Sequence, residues 1–207
     1  MSDELVFYTN PMSRGRIIRW MLEELGQPYR TEILDFATTL KGAEYLAINP
    51  MGKVPALRHG ETVVTGGAAI CAYLADAFPQ ARLAPPPGSQ LRGPYYRWLF
   101  YVAGVLEPAI VTKKLDVDVP PEHRRMAGWG CFEDAVDTLE RAVQGRDYIV
   151  GDSFTAADVY IGAHIGWGLH IGALEPRPAF VAYASKLEAR PAAQRAAAID
   201  NELVAGR

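Results

Sequence analysis

Lys53–Pro79 reads KVPALRHGETVVTGGAAICAYLADAFP. Val54–Leu57 and Thr62–Thr65 are two short β-prone runs joined through His59, Gly60 and Glu61, which reads as a hairpin and therefore an antiparallel pair. The second run feeds directly into an apolar helix that Pro79 stops. Pro55 stands at a strand entry beside a turn, where a cis bond after Val54 is tolerated because proline lowers its cost. The helix opens on Gly66 and Gly67, so the unpaired N–H groups of its first turn receive no side chain from those two positions. Such an end either takes a cap or holds an anion. The plain alternative is a tight strand-to-helix turn with Thr65 or Gly66 as a modest N-cap.

Upstream, Leu5–Tyr8 (LVFY) is continuously apolar and short, as a strand buried on both faces should be. After the TNPMS turn, Ile17, Ile18, Met21, Leu22 and Leu25 recur at helical spacing, with Gly26 and Pro28 where a C-cap and a stop belong. Tyr29–Leu34 is a second strand, and strand, helix and strand in this order predict a right-handed parallel unit. KGAEYLAI adds a short helix ended by NPMG. The first eighty residues therefore read βαβαββα, an α/β thioredoxin-like layout.

Downstream, PQARLAPPPGSQL is proline-rich and aperiodic and reads as a linker. Everything after it is helical. PYYRWLFYVAGVLEPAI is an aromatic-rich helix, and Met126, Trp129, Phe132, Val136, Leu139 and Val143 form an apolar stripe ending at Gly145. Thr155 and Asp158 have capping-box spacing, with Phe154 and Val159 at the staple positions. RPAFVAYASKLEARP supplies a last helix before an Ala-rich tail. The expected division is a first domain over 1–80, a linker over 81–90 and an all-α domain over 91–207.

Hydrophobic residues at 49% and charged residues at 22% are ordinary for a globular protein and argue against long disorder. No apolar run approaches a membrane span, and MSDELVFY has neither a basic n-region nor a cleavage site, so a cytoplasmic protein without membrane contact is expected. A net charge of −3 with basic residues spread along the chain lacks the footprint of a nucleic-acid binder. Cys71 and Cys131 make no CxxC, metal spacing or disulfide framework, and each reads as a small core residue. No metal site is expected.

A thioredoxin-like first domain, a proline-rich linker and an all-helical second domain form the plan of the cytosolic glutathione transferases, and the local sequence resembles that family. NPMGKVPAL is similar to its turn and cis-proline segment, AAICAYLADAFP to its third helix and GDSFTAADV to its capping box, while YTNPMSRGRIIRWMLEELGQPY is most similar to the serine-type bacterial and plant branches. The resemblance implies activation of the thiol of glutathione, as co-substrate, for attack on a hydrophobic electrophile. A free thiol has a pKa near 8.5, so a donor at a helix N-terminus is needed to raise its thiolate fraction at neutral pH.

Ser13, at the first turn of helix one, is the candidate donor, with Thr9 and Asn10 as rivals and with Arg14 and Arg16 adding positive potential. Capping of the helix is the alternative role for Ser13. By resemblance, Val54 beside Pro55 offers its backbone to the cysteinyl part of glutathione, and Lys41 and Lys53 hold the glycine carboxylate. The position of Gly66 usually carries an acid and that of Gly67 a serine, which grip the γ-glutamyl end. Here only the backbone N–H groups of the helix start remain. Tyr101, His164 and Trp167 are candidates for the electrophile cleft, with core packing as the other reading. The resemblance also implies a homodimer.

A second reading, from another class, is a non-catalytic transferase-like binding protein with weakened glutathione affinity, motivated by Gly66 and Gly67. A thiol-disulfide oxidoreductase needs a cysteine at the start of helix one, and NPMSRGR has none. The Ser-Ser-Cys signature of maleylacetoacetate isomerases is absent as well.

Overall fold

The computed structural model describes residues 4–206. Met1, Ser2 and Asp3, the start of the segment read against a signal peptide, lie outside them, as does Arg207. The chain forms two compact units, one running to Leu83 and resuming at Arg190, the other spanning Ala84–Ala189.

The first unit is built on β1 (Leu5–Thr9), α1 (Gly15–Leu25), β2 (Arg30–Ile33), α2 (Ala43–Ile48), β3 (Ala56–His59), β4 (Thr62–Thr65) and α3 (Gly67–Ala77). The expected βαβαββα order is what forms. Strands lie in the order β2-β1-β3-β4, with β1 parallel to β2 and antiparallel to β3, and β3 antiparallel to β4. Helix α1 buries Ile17, Ile18, Met21, Leu22 and Leu25, and it ends at Gly26, whose left-handed φ of 68° lets its N–H reach the Leu22 carbonyl. The hairpin is tighter than the sequence reading, because His59 pairs within the ladder and only Gly60 and Glu61 turn. Strand β3 begins at Ala56 rather than Val54, since Pro55 has no N–H to give to a ladder.

The domain boundary needs correcting. The Ala-rich tail assigned to the helical domain of 91–207 is a helix, α9 (Pro191–Ala205), and it belongs to the first unit, packed on α1. Arg19 of α1, only 2% exposed, reaches Asp200 with Nε at 3.2 Å and Thr31 with Nη1 at 2.8 Å, and its guanidinium lies over the Phe7 ring. Arg190 donates twice to the Glu24 carboxylate, at 2.6 and 2.8 Å. The linker of 81–90 is likewise no free-standing segment, for Leu83 is buried and the division falls after it.

The second unit comprises α4 (Arg92–Tyr101), α5 (Glu107–Lys114), α6 (Phe132–Val143), α7 (Ala156–His170) and α8 (Pro178–Glu188). Between α4 and α5 the helix widens to π geometry over Val102–Leu106. Pro108, which lacks an N–H and crowds the carbonyl of Gly104, accounts for the change. The apolar stripe expected from Met126 onward is shorter than its spacing suggests. Helix α6 starts only at Phe132, Met126 is 80% exposed, and Gly130 at φ 65° breaks the run. Cys71 is a core residue as expected, whereas Cys131 is only half-buried at the start of α6. Among the described residues no helix is long and apolar enough to cross a membrane, and no His, Cys, Asp and Glu group is placed to hold a metal ion.

Candidate functional site

The strand register gathers the site candidates of the first unit. Tyr8 pairs with Ala56 and Ala56 with Thr65, while Thr9 pairs with Ile33. The exit of β1 toward Ser13, the entry of β3 after Val54 and Pro55, and the exit of β4 toward Gly66 therefore lie at one end of the sheet. Residues far apart in sequence become neighbours through hydrogen-bond pairing alone.

At the β1 exit the three candidate donors separate by burial. Thr9 and Asn10 are both 0% exposed. Asn10 is engaged within the turn, donating from Nδ2 to the Leu34 carbonyl at 2.7 Å and accepting the Met12 N–H at 2.9 Å. Ser13 is half-buried; its hydroxyl donates to the Asn10 carbonyl at 2.7 Å and accepts the Gly15 N–H at 2.9 Å. Its oxygen is thus fixed by the helix start, and only the direction of its single proton is free to change. Gly15 permits this packing, because a Cβ there would sit 1.9 Å from Thr9 Oγ1. The sequence reading passed over that glycine, whose only signal is its place directly before an apolar-periodic helix. Arg16 is tied down within the same unit, to the Pro11 carbonyl at 2.6 Å and to Asn201 at 2.9 Å.

The bond between Val54 and Pro55 is cis, as the sequence reading expects. The main chain of half-buried Val54 precedes the sheet ladder, which begins at Ala56. Two residues that sequence reasoning missed hold this segment from below. Tyr45 Oη at 2.6 Å and Asn49 Nδ2 at 2.7 Å both donate to the carbonyl of Lys53. Burial pushes the Tyr45 hydroxyl up to about 12, so it stays protonated and remains a donor. Lys41 Nζ donates to the Met51 carbonyl at 2.8 Å, bracing the turn before Lys53, whose own side chain is exposed. Gly52, at φ 55°, lies so close that a Cβ would meet Lys41 Nζ at 2.9 Å.

Helix α3 opens without a side-chain cap. Gly66 has φ 85° and ψ 124°, a backbone conformation that L side chains avoid, although a Cβ there would meet nothing within 4 Å. Gly67 is not in the left-handed region and begins the helix proper.

In the second unit, Tyr101 and Trp167 are half-buried, and Tyr101 Oη donates to the Ala135 carbonyl. Of the two readings of His164, cleft and core packing, its surroundings fit the second. Its ring is 1% exposed, with Nδ1 2.8 Å from the Tyr160 carbonyl and Nε2 3.4 Å from Glu107, so it serves packing inside the bundle. An inward position on a helix buried nearly all round carries no local mark that separates core from cleft.

Comparison with known proteins adds to this geometry. The family model described as glutathione S-transferase, N-terminal domain, matches residues 12–77. Glutathione S-transferase GstA of Escherichia coli O157:H7 is 32% identical over 157 residues, covering 75% of this chain and 77% of the relative. A glutathione transferase structure from Methylococcus capsulatus superposes with a TM-score of 0.79 at 28% identity, covering 95% of this chain and 98% of that one. A sphingomonad glutathione S-transferase solved with glutathione bound gives 0.78 at 28% identity, with the same coverage. The four-stranded sheet, the cis-proline segment after Lys53 and these likenesses across most of the chain lead to one conclusion: the protein belongs to the glutathione S-transferase family.

Proposed function

We propose that this family member joins the sulfur of glutathione to a hydrophobic electrophile, with Ser13 as the hydrogen-bond donor to the thiolate. The gathering of Ser13, Val54 and the uncapped start of α3 at one end of the sheet carries the reading. Val54 offers main-chain groups outside the ladder to the cysteinyl peptide, as an added strand does. The N–H groups of Gly67 and Ala68 face the γ-glutamyl carboxylate with the helix dipole behind them. Lys53, with Lys41 bracing the turn before it, serves the glycine carboxylate.

Ser13 has one proton, and in the free protein it points to the Asn10 carbonyl. A bound thiolate draws that proton away, exchanging a neutral hydrogen bond for a charge-assisted one while the Gly15 N–H holds the oxygen in place. The thiolate sulfur then attacks the electrophilic carbon. With a chlorinated dinitrobenzene, the S–C bond forms and chloride leaves with the electron pair of the C–Cl bond.

The protein acts as a homodimer in a reducing, cytoplasmic setting, in keeping with two free cysteines. Sedimentation at micromolar concentration tests the dimer. Ser13→Ala should lower turnover on the order of a hundredfold with an unchanged far-ultraviolet spectrum, comparable to deleting one donor to a stabilised anion. Full activity in that variant, with an unshifted thiol pKa, would remove Ser13 from the mechanism.

A further inference from the structure

Helix α9 brings Asp200 and Asn201, adjacent in sequence, against Arg19 and Arg16, which stand on one face of α1. The two contacts differ in kind. Asp200 and Arg19 form an ion pair with both side chains 2% exposed, which fastens the helices to each other. Arg16 instead donates from Nη1 to the neutral amide oxygen of exposed Asn201 at 2.9 Å, and among the described residues no carboxylate stands within ion-pair distance of it.

The other arm of Arg16 reaches the turn that carries the candidate donor. Its Nε donates at 2.6 Å to the carbonyl of buried Pro11, inside the turn from Asn10 to Ser13 that leads into α1. The Ser13 N–H closes that turn on the Asn10 carbonyl at 3.0 Å, and the Asn10 side chain ties its start to the Leu34 carbonyl. Arg16 is therefore the link between the last helix of the unit and the backbone beside Ser13.

We propose that Asn201 is a positioning residue for the transferase reaction: by holding one arm of the rigid Arg16 guanidinium it keeps the other on the Pro11 carbonyl, and so fixes where the Ser13 hydroxyl stands. The inference rests on the reading of Ser13 as donor to the thiolate. A long arginine side chain has much rotamer freedom to lose, so a single bond at its tip decides where it rests. Without Asn201 the rival acceptor is the Asp200 carboxylate, which already feels the Arg16 charge. A guanidinium drawn there leaves Pro11, and a small displacement of a reacting group is costly to rate.

Kinetics of the full-length variants Asn201→Ala and Asn201→Asp with glutathione and a chlorinated dinitrobenzene test the assignment, together with the pKa of the bound thiol read from thiolate absorbance. Asn201→Ala should lower kcat by about fivefold to tenfold, the worth of one hydrogen bond, and raise the thiol pKa. The KM for glutathione and the urea midpoint should stay nearly unchanged, because Asn201 is exposed and touches neither core nor glutathione in this reading. Asn201→Asp keeps an oxygen in the same place and should restore kcat. In a Ser13→Ala background, Asn201→Ala should cost nothing further. Unchanged kcat and thiol pKa in Asn201→Ala, an equal loss in Asn201→Asp, or an undiminished effect in the Ser13→Ala background would overturn the role. Full activity of Ser13→Ala alone would instead strike the donor reading, a result seen without touching Asn201.

Discussion

Two helix starts in this molecule meet the same physical demand in opposite ways. Helix α7 begins with a complete capping box, Thr155 and Asp158 each accepting the backbone N–H of the other. The Asp158 carboxylate, 0% exposed, also accepts from the Ile149 N–H at 2.7 Å and from Tyr183 Oη at 2.6 Å. Helix α3 begins on an exposed Gly66 with no side-chain cap at all. Both ends present unpaired donors and partial positive charge. A helix surrounded by its own bundle must satisfy those groups internally, whereas one at the open end of a sheet can leave them to a ligand.

The largest expected effect lies at the closed end. Asp158→Ala strips the acceptor from several buried donors and should cost about 3 to 5 kcal/mol of unfolding free energy, read from urea midpoints at constant slope. A loss under about 1 kcal/mol would erase the contrast with α3.

The open end should respond to backbone geometry. Gly66→Ala meets no atom within 4 Å but places a side chain at φ 85°, so thermal unfolding should report a loss of about 1 to 3 kcal/mol from strain alone. An acid at this position, common in the family, meets the same strain. An unchanged melting temperature would show that the turn relaxes freely.

Gly67→Ser tests the other half of the pair without strain. A serine there should tighten glutathione by roughly tenfold in calorimetry, the gain of one hydrogen bond to a charged group, and should leave stability nearly unchanged. No gain in affinity would mean that the N–H groups of α3 already satisfy the γ-glutamyl carboxylate.

The smallest effect is a pH dependence at the closed end. Burial raises the Asp158 carboxyl above its ordinary 3.8, against the opposing pull of its hydrogen bonds to Tyr183, Ile149 and Thr155. Between that ordinary value and the raised one the folded state holds more protons than the unfolded chain. The contribution of Asp158 to stability therefore falls as pH rises through this window and is flat above it. Urea midpoints across the acid range should show this descending component in the wild type and lack it in Asp158→Asn.

Much of the first unit was legible because its signals are local. The Gly26 stop, the Gly60 turn and the Pro55 strand entry each depend on one residue's backbone freedom or missing N–H; the stop stands where it was read, while the turn is tighter because His59 joins the ladder and the strand begins at Ala56, just after Pro55. The capping box was legible for the same reason, since Thr155 and Asp158 are three residues apart. Periodicity misled at Met126 and Trp129, where apolar spacing continues but the helix begins only at Phe132, after the left-handed Gly130. Of the site, the candidate positions were legible, but their standing relative to one another was not. Nothing adjacent in sequence says that Thr9 and Asn10 are buried while Ser13 keeps partial access.

By itself, then, the amino-acid order determined the element sequence of the sheet unit, the cis-proline segment and the cap of α7, because each is set within a few residues along the chain. Tertiary structure alone decided that α9 returns to α1, where Arg19 and Asp200 meet across 181 positions of sequence. It also decided that His164 turns into the bundle. Those outcomes rest on burial and charge between distant segments, and such pairings exist only once the chain has folded.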